Sequence, residues 1–229
     1  MKPALISLLA ASISFVGSHF VLSHPLRAPL VRRLGDKGFL GLYSLVSLAT
    51  FVWMVHAFLA MTRRGVPLWD GSSAVLWAIS SLLTLVALAL FLGSFRGNPI
   101  RPGAAVHPGA GSPEPHGAFR VTRHPMMWGF GLWAVAHIVI APTGRTLVFA
   151  GAILVLALVG AALQDRKKRA LDGLGWSKWE RQTSYWPRLA ALPGIGLGLW
   201  LAALALWLAL TWAHIWLAYV PTGIWRWVG

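Results

Sequence analysis

The chain has 229 residues, 57% of them hydrophobic and only 11% charged, with 14 Trp and a formal net charge of +14. So few charged side chains cannot cover a soluble globule of this size, so that class is excluded and topology in a bilayer becomes the first question. The 20 Lys and Arg sit in short runs between apolar stretches, as membrane-flanking charge does and nucleic-acid stripes do not, and the absence of Cys removes disulfides, thiolate ligands and Fe–S clusters.

A bilayer core of about 30 Å takes roughly 20 apolar residues to cross. Six stretches approach that length, near residues 4–24, 38–60, 73–95, 125–141, 145–163 and 195–220. The first follows Met1 and Lys2 as a signal peptide would, but its apolar run continues through Phe20-Val21-Leu22 without a small-residue cleavage site, so it is expected to remain as a helix. The fourth is the shortest and is open to a re-entrant reading.

Orientation follows the asymmetry of Lys and Arg between loops. The first, third and fifth loops carry 15 of the 20, the remaining segments 5. Both termini are therefore expected in the periplasm, and the basic loops in the cytoplasm of a bacterium, with the inner membrane as the location. The third loop, from Arg96 to Arg123, is too rich in Gly and Pro for a helix and is expected to be irregular and the most mobile part of the chain. In the fifth, Asp165 and Arg169 are spaced for an i, i+4 pair, and Trp176 and Trp179 share a face beside Lys178 and Arg181, a pattern suited to a helix in the headgroup layer. No internal repeat supports an inverted-repeat transporter.

Ionisable groups inside a bilayer are costly and mark function by default. His19, His56, His137 and His214 lie within the apolar stretches, His24 and His124 flank them, and His107 and His116 fall in the third loop. Gly129, Trp133 and His137 recur every four residues and form one helical stripe, which either admits a flat macrocycle or allows close helix packing with His137 hydrogen-bonded to a neighbour. His19 shares a face with Phe15 and Ser12 and has the same two readings, whereas His56 and His214 suit the Trp-rich interface. Thr122-Arg123-His124-Pro125 opens the fourth stretch with Pro at the first helical position, where Arg123 and His124 either hold an anionic group or serve orientation.

The run Gly17-Ser18-His19-Phe20-Val21-Leu22-Ser23-His24-Pro25, then Leu34-Gly35-Asp36-Lys37-Gly38-Phe39 and Gly41-Leu42-Tyr43-Ser44-Leu45, resembles the start of NnrU family membrane proteins. Arg120-Val121-Thr122-Arg123-His124-Pro125 through Trp128-Gly129, Leu132-Trp133-Ala134 and Ala136-His137 is similar to that family's second signature, and Asp165-Arg166-Lys167-Lys168 continues it. The likeness spans most of residues 10–190. It implies a role in denitrification and nitric oxide metabolism, or a reaction like that of the relative 15-cis-zeta-carotene isomerase, a haem b enzyme. Carried over by position, it makes His19 and His137 the candidate axial ligands, with His137 leading, and His124 a supporting or alternative ligand. Arg123, Trp133 and Gly129 complete the candidate haem-binding set.

A weaker resemblance links Arg123-His124-Pro125, Gly175-Trp176-Ser177-Lys178-Trp179 and Trp186-Pro187 to membrane methyltransferases, which carry a Glu pair where this chain has Gln164-Asp165. The expectation is thus an all-α polytopic membrane bundle of about six helices. Residues 1–192 form an NnrU-like domain with an interfacial segment at 164–192, and residues 193–229 an additional helix and tail. Its expected partners are the lipid bilayer and a lipophilic small molecule, with haem b as cofactor and no nucleic acid. A methyltransferase-like protein and a non-haem assembly factor are the alternatives.

Overall fold

The computed structural model describes residues 3–61, 65–96, 114–171 and 173–228. Among these the chain is helical, apart from one isolated antiparallel bridge between Pro67 and Thr143. Most of the Gly- and Pro-rich third loop, residues 97–113 with His107, lies outside the described residues.

Helix α1 (Pro3–Ser23) ends where Pro25 disfavours helical backbone before it. Helix α2 (Arg27–Leu59) carries Pro29 in its first turn, where no intrahelical donor is lost, and breaks at Gly35 with φ 70° and ψ 171°. The first loop is therefore mostly helix, since only Gly35 interrupts the pattern. Helix α3 (Ala74–Gly93) follows Gly71-Ser72-Ser73, and a single turn, α4 (Ala118–Val121), precedes α5 (Pro125–Ile140). Helix α6 (Gly144–Leu171) runs past the apolar stretch, because the basic residues 166–169 are good helix formers. Then come α7 (Gly173–Gln182), a 3-10 segment (Leu189–Ile195), α8 (Leu197–Ala218) and the last turn, α9 (Trp225–Val228).

Five helices, α1, α2, α3, α6 and α8, are long and apolar enough to cross a membrane. The sixth stretch, α5, has 16 residues, about 24 Å at 1.5 Å per residue against a core of about 30 Å. The fold is an all-α polytopic bundle.

Packing separates two compact units, residues 1–71 with 137–156, and residues 72–136 with 157–229. The core of the first joins Leu8, Ala11 and Phe15 of α1 to Met54 and Ala57 of α2, with Val148, Phe149, Ala152, Ile153 and Leu156 of α6 against them. Arg145 donates to the Met61 carbonyl at 3.2 Å and stacks 4.7 Å from the Phe58 ring centre, so α6 begins beside the end of α2. The chain after α2 lies along the end of α5, with Leu68 N–H on Pro142 O at 2.9 Å and Trp69 Nε1 on Val139 O at 3.0 Å.

In the second unit Ala89, Leu90, Ala118, Val121, Trp128, Ile195 and Ala203 form the core. Gly129 of α5 faces α3 so closely that a Cβ there would stand 2.8 Å from the Ala87 carbonyl oxygen. Trp207 of α8 donates to Thr84 Oγ1 of α3 at 2.9 Å, and Arg226 of the last turn lies 4.1 Å over Trp77. Trp176 and Trp179 are buried with Phe119. Their shared face turns into protein and not toward headgroups, because α4 supplies an aromatic partner for it.

Candidate functional site

The second unit contains a buried polar cluster where α5 begins. Its backbone is fixed first: Arg123 N–H donates to Ser184 O at 2.8 Å and Arg188 N–H to Val121 O at 2.8 Å, joining residues 121–123 to 184–188. Thr122 Oγ1 bonds the Tyr185 carbonyl at 2.8 Å, and Trp128 Nε1 donates to the same oxygen at 2.8 Å. Tyr185 donates its hydroxyl to Leu158 O of α6 at 2.6 Å. Burial, then the neighbouring Asp165 carboxylate, raise the Tyr185 hydroxyl above its ordinary value, which keeps it a donor.

Into this frame α6 brings Asp165, whose side chain is 3% exposed. Its Oδ2 accepts from Arg123 Nε at 2.8 Å and Nη2 at 2.5 Å, and its Oδ1 accepts from His124 Nε2 at 2.7 Å. Arg123 Nη2 also lies 3.5 Å from Glu180 Oε1 of α7. Glu180 in turn is held by Arg169 through a bidentate pair at 2.8 and 2.7 Å.

The expected Asp165–Arg169 pair is therefore replaced by two others: Asp165 takes Arg123 and His124, and Arg169 takes Glu180. Asp165 is drawn inward because the Arg123 guanidinium would otherwise be buried without a countercharge and the His124 Nε2–H without an acceptor. The guanidinium that the sequence offered to an external anion is directed at two carboxylates of the chain itself. With Nε2 donating to Asp165, the Nδ1 of His124 is buried and makes no hydrogen bond.

The other candidates lie elsewhere. Gly129 is filled over by α3, and Trp133 is half-buried on α5. His19 and His137 both belong to the first unit. His19 is one turn from the end of α1, its ring edge-on to Phe15 at 4.5 Å and to Tyr43 at 5.5 Å. Its Nδ1 donates to Phe15 O at 2.7 Å. His137 is in the last turn of α5, the turn against which Trp69 lies. From Tyr43 to Leu59, the end of α2 from which Trp69 follows, is 16 residues, about 24 Å of helix. The structure thus places His19 and His137 toward opposite ends of the first unit and does not bring them together. Among the described residues no three His, Asp or Glu side chains gather as a metal site.

Sequence reasoning found Arg123 and His124 but missed their partner. The available signal was scarcity: the chain has six acids, and Asp165 sits directly after the apolar run of α6, where its cost has to be compensated.

A family model described as NnrU protein matches residues 7–222, which takes in α8 as well as both quoted signatures. No curated protein and no solved structure matches the chain.

Proposed function

The chain belongs to the NnrU family, and on that premise we propose that it is a multi-pass protein of the bacterial inner membrane that binds haem b through His19. The observation that carries this reading is the state of the His19 ring. Its Nδ1–H is committed to the Phe15 carbonyl, which fixes the tautomer and leaves the lone pair on Nε2. That Nε2 makes no hydrogen bond among the described residues. A backbone-anchored imidazole with an unbonded second nitrogen would suit a histidine that holds haem.

His137 is not the second ligand in this account, because two ligands of one iron must share a depth. The residues that would serve haem are His19 as the protein ligand and Phe15 and Tyr43 as the aromatic groups that fix its ring. When bound, haem b would supply coordination or electron exchange. Placing the ligand on an apolar helix favours a lipophilic substrate, and the activity that follows is isomerase or redox chemistry on such a molecule. The chain's part is to orient the ligand ring and exclude water from its surroundings.

Arg123 and His124 take no part in haem binding here. Their buried pairing with Asp165 counts against a methyltransferase role for the Arg-His-Pro segment, since its polar groups face a carboxylate of the chain itself.

The test is the absorption spectrum of the purified protein after haem supplementation. A Soret band with near-stoichiometric haem b by extraction is expected, and a polyene substrate should be isomerised by the loaded protein. Haem binding with no polyene turnover but with a nitric-oxide-induced band shift would move the activity to nitrogen-oxide metabolism. A protein that stays folded and takes up no haem would overturn the proposal.

A further inference from the structure

The beginning of α2 is not a continuation of its long apolar shaft. Gly35, at φ 70° and ψ 171°, occupies backbone space that residues with a Cβ rarely enter, and it turns the chain. A straight helix would hold the Cα atoms of Arg27 and Phe39 about 18 Å apart. The Arg27 guanidinium instead lies 5.2 Å over the Phe39 ring, which fastens residues 27–34 as an arm at an angle to the shaft.

The arm carries two kinds of surface that the chain does not cover. Leu26, Leu30 and Leu34 recur every four residues and form one stripe, with Leu26 and Leu34 exposed and Leu30 half-buried. Arg33 flanks this stripe at helical spacing, Arg32 stands on the opposite face and Lys37 comes just past the kink; all three are exposed, with Asp36 the one acid in the arm and kink. An uncovered leucine stripe with cations around it matches the boundary between acyl chains and anionic headgroups, where leucines enter the apolar layer and arginines meet phosphates. Water would serve the arginines and leave the leucines exposed. A wholly apolar partner would do the reverse.

We propose that residues 26–37 are a membrane-surface arm that binds anionic phospholipid headgroups at the end of the bundle where α1 turns into α2. Leu26, Leu30 and Leu34 insert at the acyl boundary, Arg33 and Lys37 contact lipid phosphates, and Arg32 on the far face adds to the positive field that draws anionic headgroups. Gly35 permits the arm to lie across the surface while the shaft crosses the bilayer. The inference is independent of haem.

Because the chain has no Cys, Leu30→Cys and Leu34→Cys can each be labelled singly with a polarity-sensitive dye. The full chain is then placed in nanodiscs of zwitterionic lipid, or of the same lipid with phosphatidylglycerol. Both leaflets of a disc are alike, so the readout does not depend on orientation. In anionic discs the dye should shift to the blue, and quenching by aqueous iodide should fall severalfold. Arg32→Gln with Arg33→Gln should return both signals toward their values in zwitterionic discs. A label at Val66→Cys, on the segment after α2, controls for general lipid effects and should change little. Equal quenching of the arm in both discs would overturn the proposal. So would shielding that persists in detergent and grows with protein concentration, which would identify a second copy as the partner.

Discussion

His124 and Arg123 share one carboxylate: Asp165 accepts from His124 Nε2 at 2.7 Å through one oxygen and from Arg123 Nε at 2.8 Å through the other. Removing the carboxylate's charge leaves a buried guanidinium with only Glu180, 3.5 Å away, to compensate it. Asp165→Asn should therefore cost about 3–5 kcal/mol, the range for breaking a buried pair from one side. Arg169→Gln, at a side chain 53% exposed, should stay within about 1 kcal/mol. Thermal unfolding in detergent, followed by Trp fluorescence, compares the two. Equal melting points would show that the cluster does not hold the unit.

Tyr185 makes the same region sensitive to alkali. Its hydroxyl is raised from the ordinary 10.0 by burial and then by Asp165, so the unfolded chain loses that proton first as pH rises. The stability tied to this proton is full below the ordinary value and is lost as pH climbs through the raised one. Melting temperature should begin to drop as pH rises past the ordinary tyrosine value of 10.0, and Tyr185→Phe should flatten that drop while lowering stability at neutral pH through the lost Leu158 hydrogen bond. An identical alkaline profile in the variant would refute the assignment.

Gly129 tests helix packing separately from cofactor binding. A Cβ there would meet Ala87 O at 2.8 Å and Phe91 Cβ at 3.3 Å, so Gly129→Ala should destabilise by about 1–3 kcal/mol. Gly151→Ala, with nothing within 4 Å of the new atom, should be neutral or stabilising by up to about 1 kcal/mol on helix propensity. The ratio of folded protein after mild heating distinguishes them, and a harmless Gly129→Ala would contradict the close approach of α3 and α5.

The six apolar stretches were legible because hydrophobic length is a local property, and their ends fell within a few residues at Pro25, Ser73, Pro125 and Pro142. What local pattern did not carry was partnership. Asp165 lies 42 positions from Arg123, and its i, i+4 spacing to Arg169 pointed to a nearer cation that chose Glu180 instead. Trp176 and Trp179 read as interfacial because Trp is common there, and nothing in α7 itself announced Phe119. Among the candidate ligands, family position paired His19 with His137, and nothing local to either helix reported that they lie toward opposite ends of the first unit. The backbone anchor on His19 required coordinates.

The orientation expected from the basic asymmetry can be tested with single cysteines in intact cells. Ser177→Cys, half-buried on α7, should resist impermeant maleimide until the cells are opened and then react. Val66→Cys, 88% exposed on the segment after α2, should react at once. The reverse pattern would place both termini in the cytoplasm.

The account turns on which histidine holds iron. In haem-supplemented, purified His19→Ala the Soret band should be lost or strongly shifted, with melting behaviour and monodispersity close to those of the unaltered protein. His137→Ala should keep the band, because that residue lies toward the other end of the first unit. A folded His19→Ala protein with an unchanged Soret band, or loss of the band in a folded His137→Ala alone, would contradict the assignment.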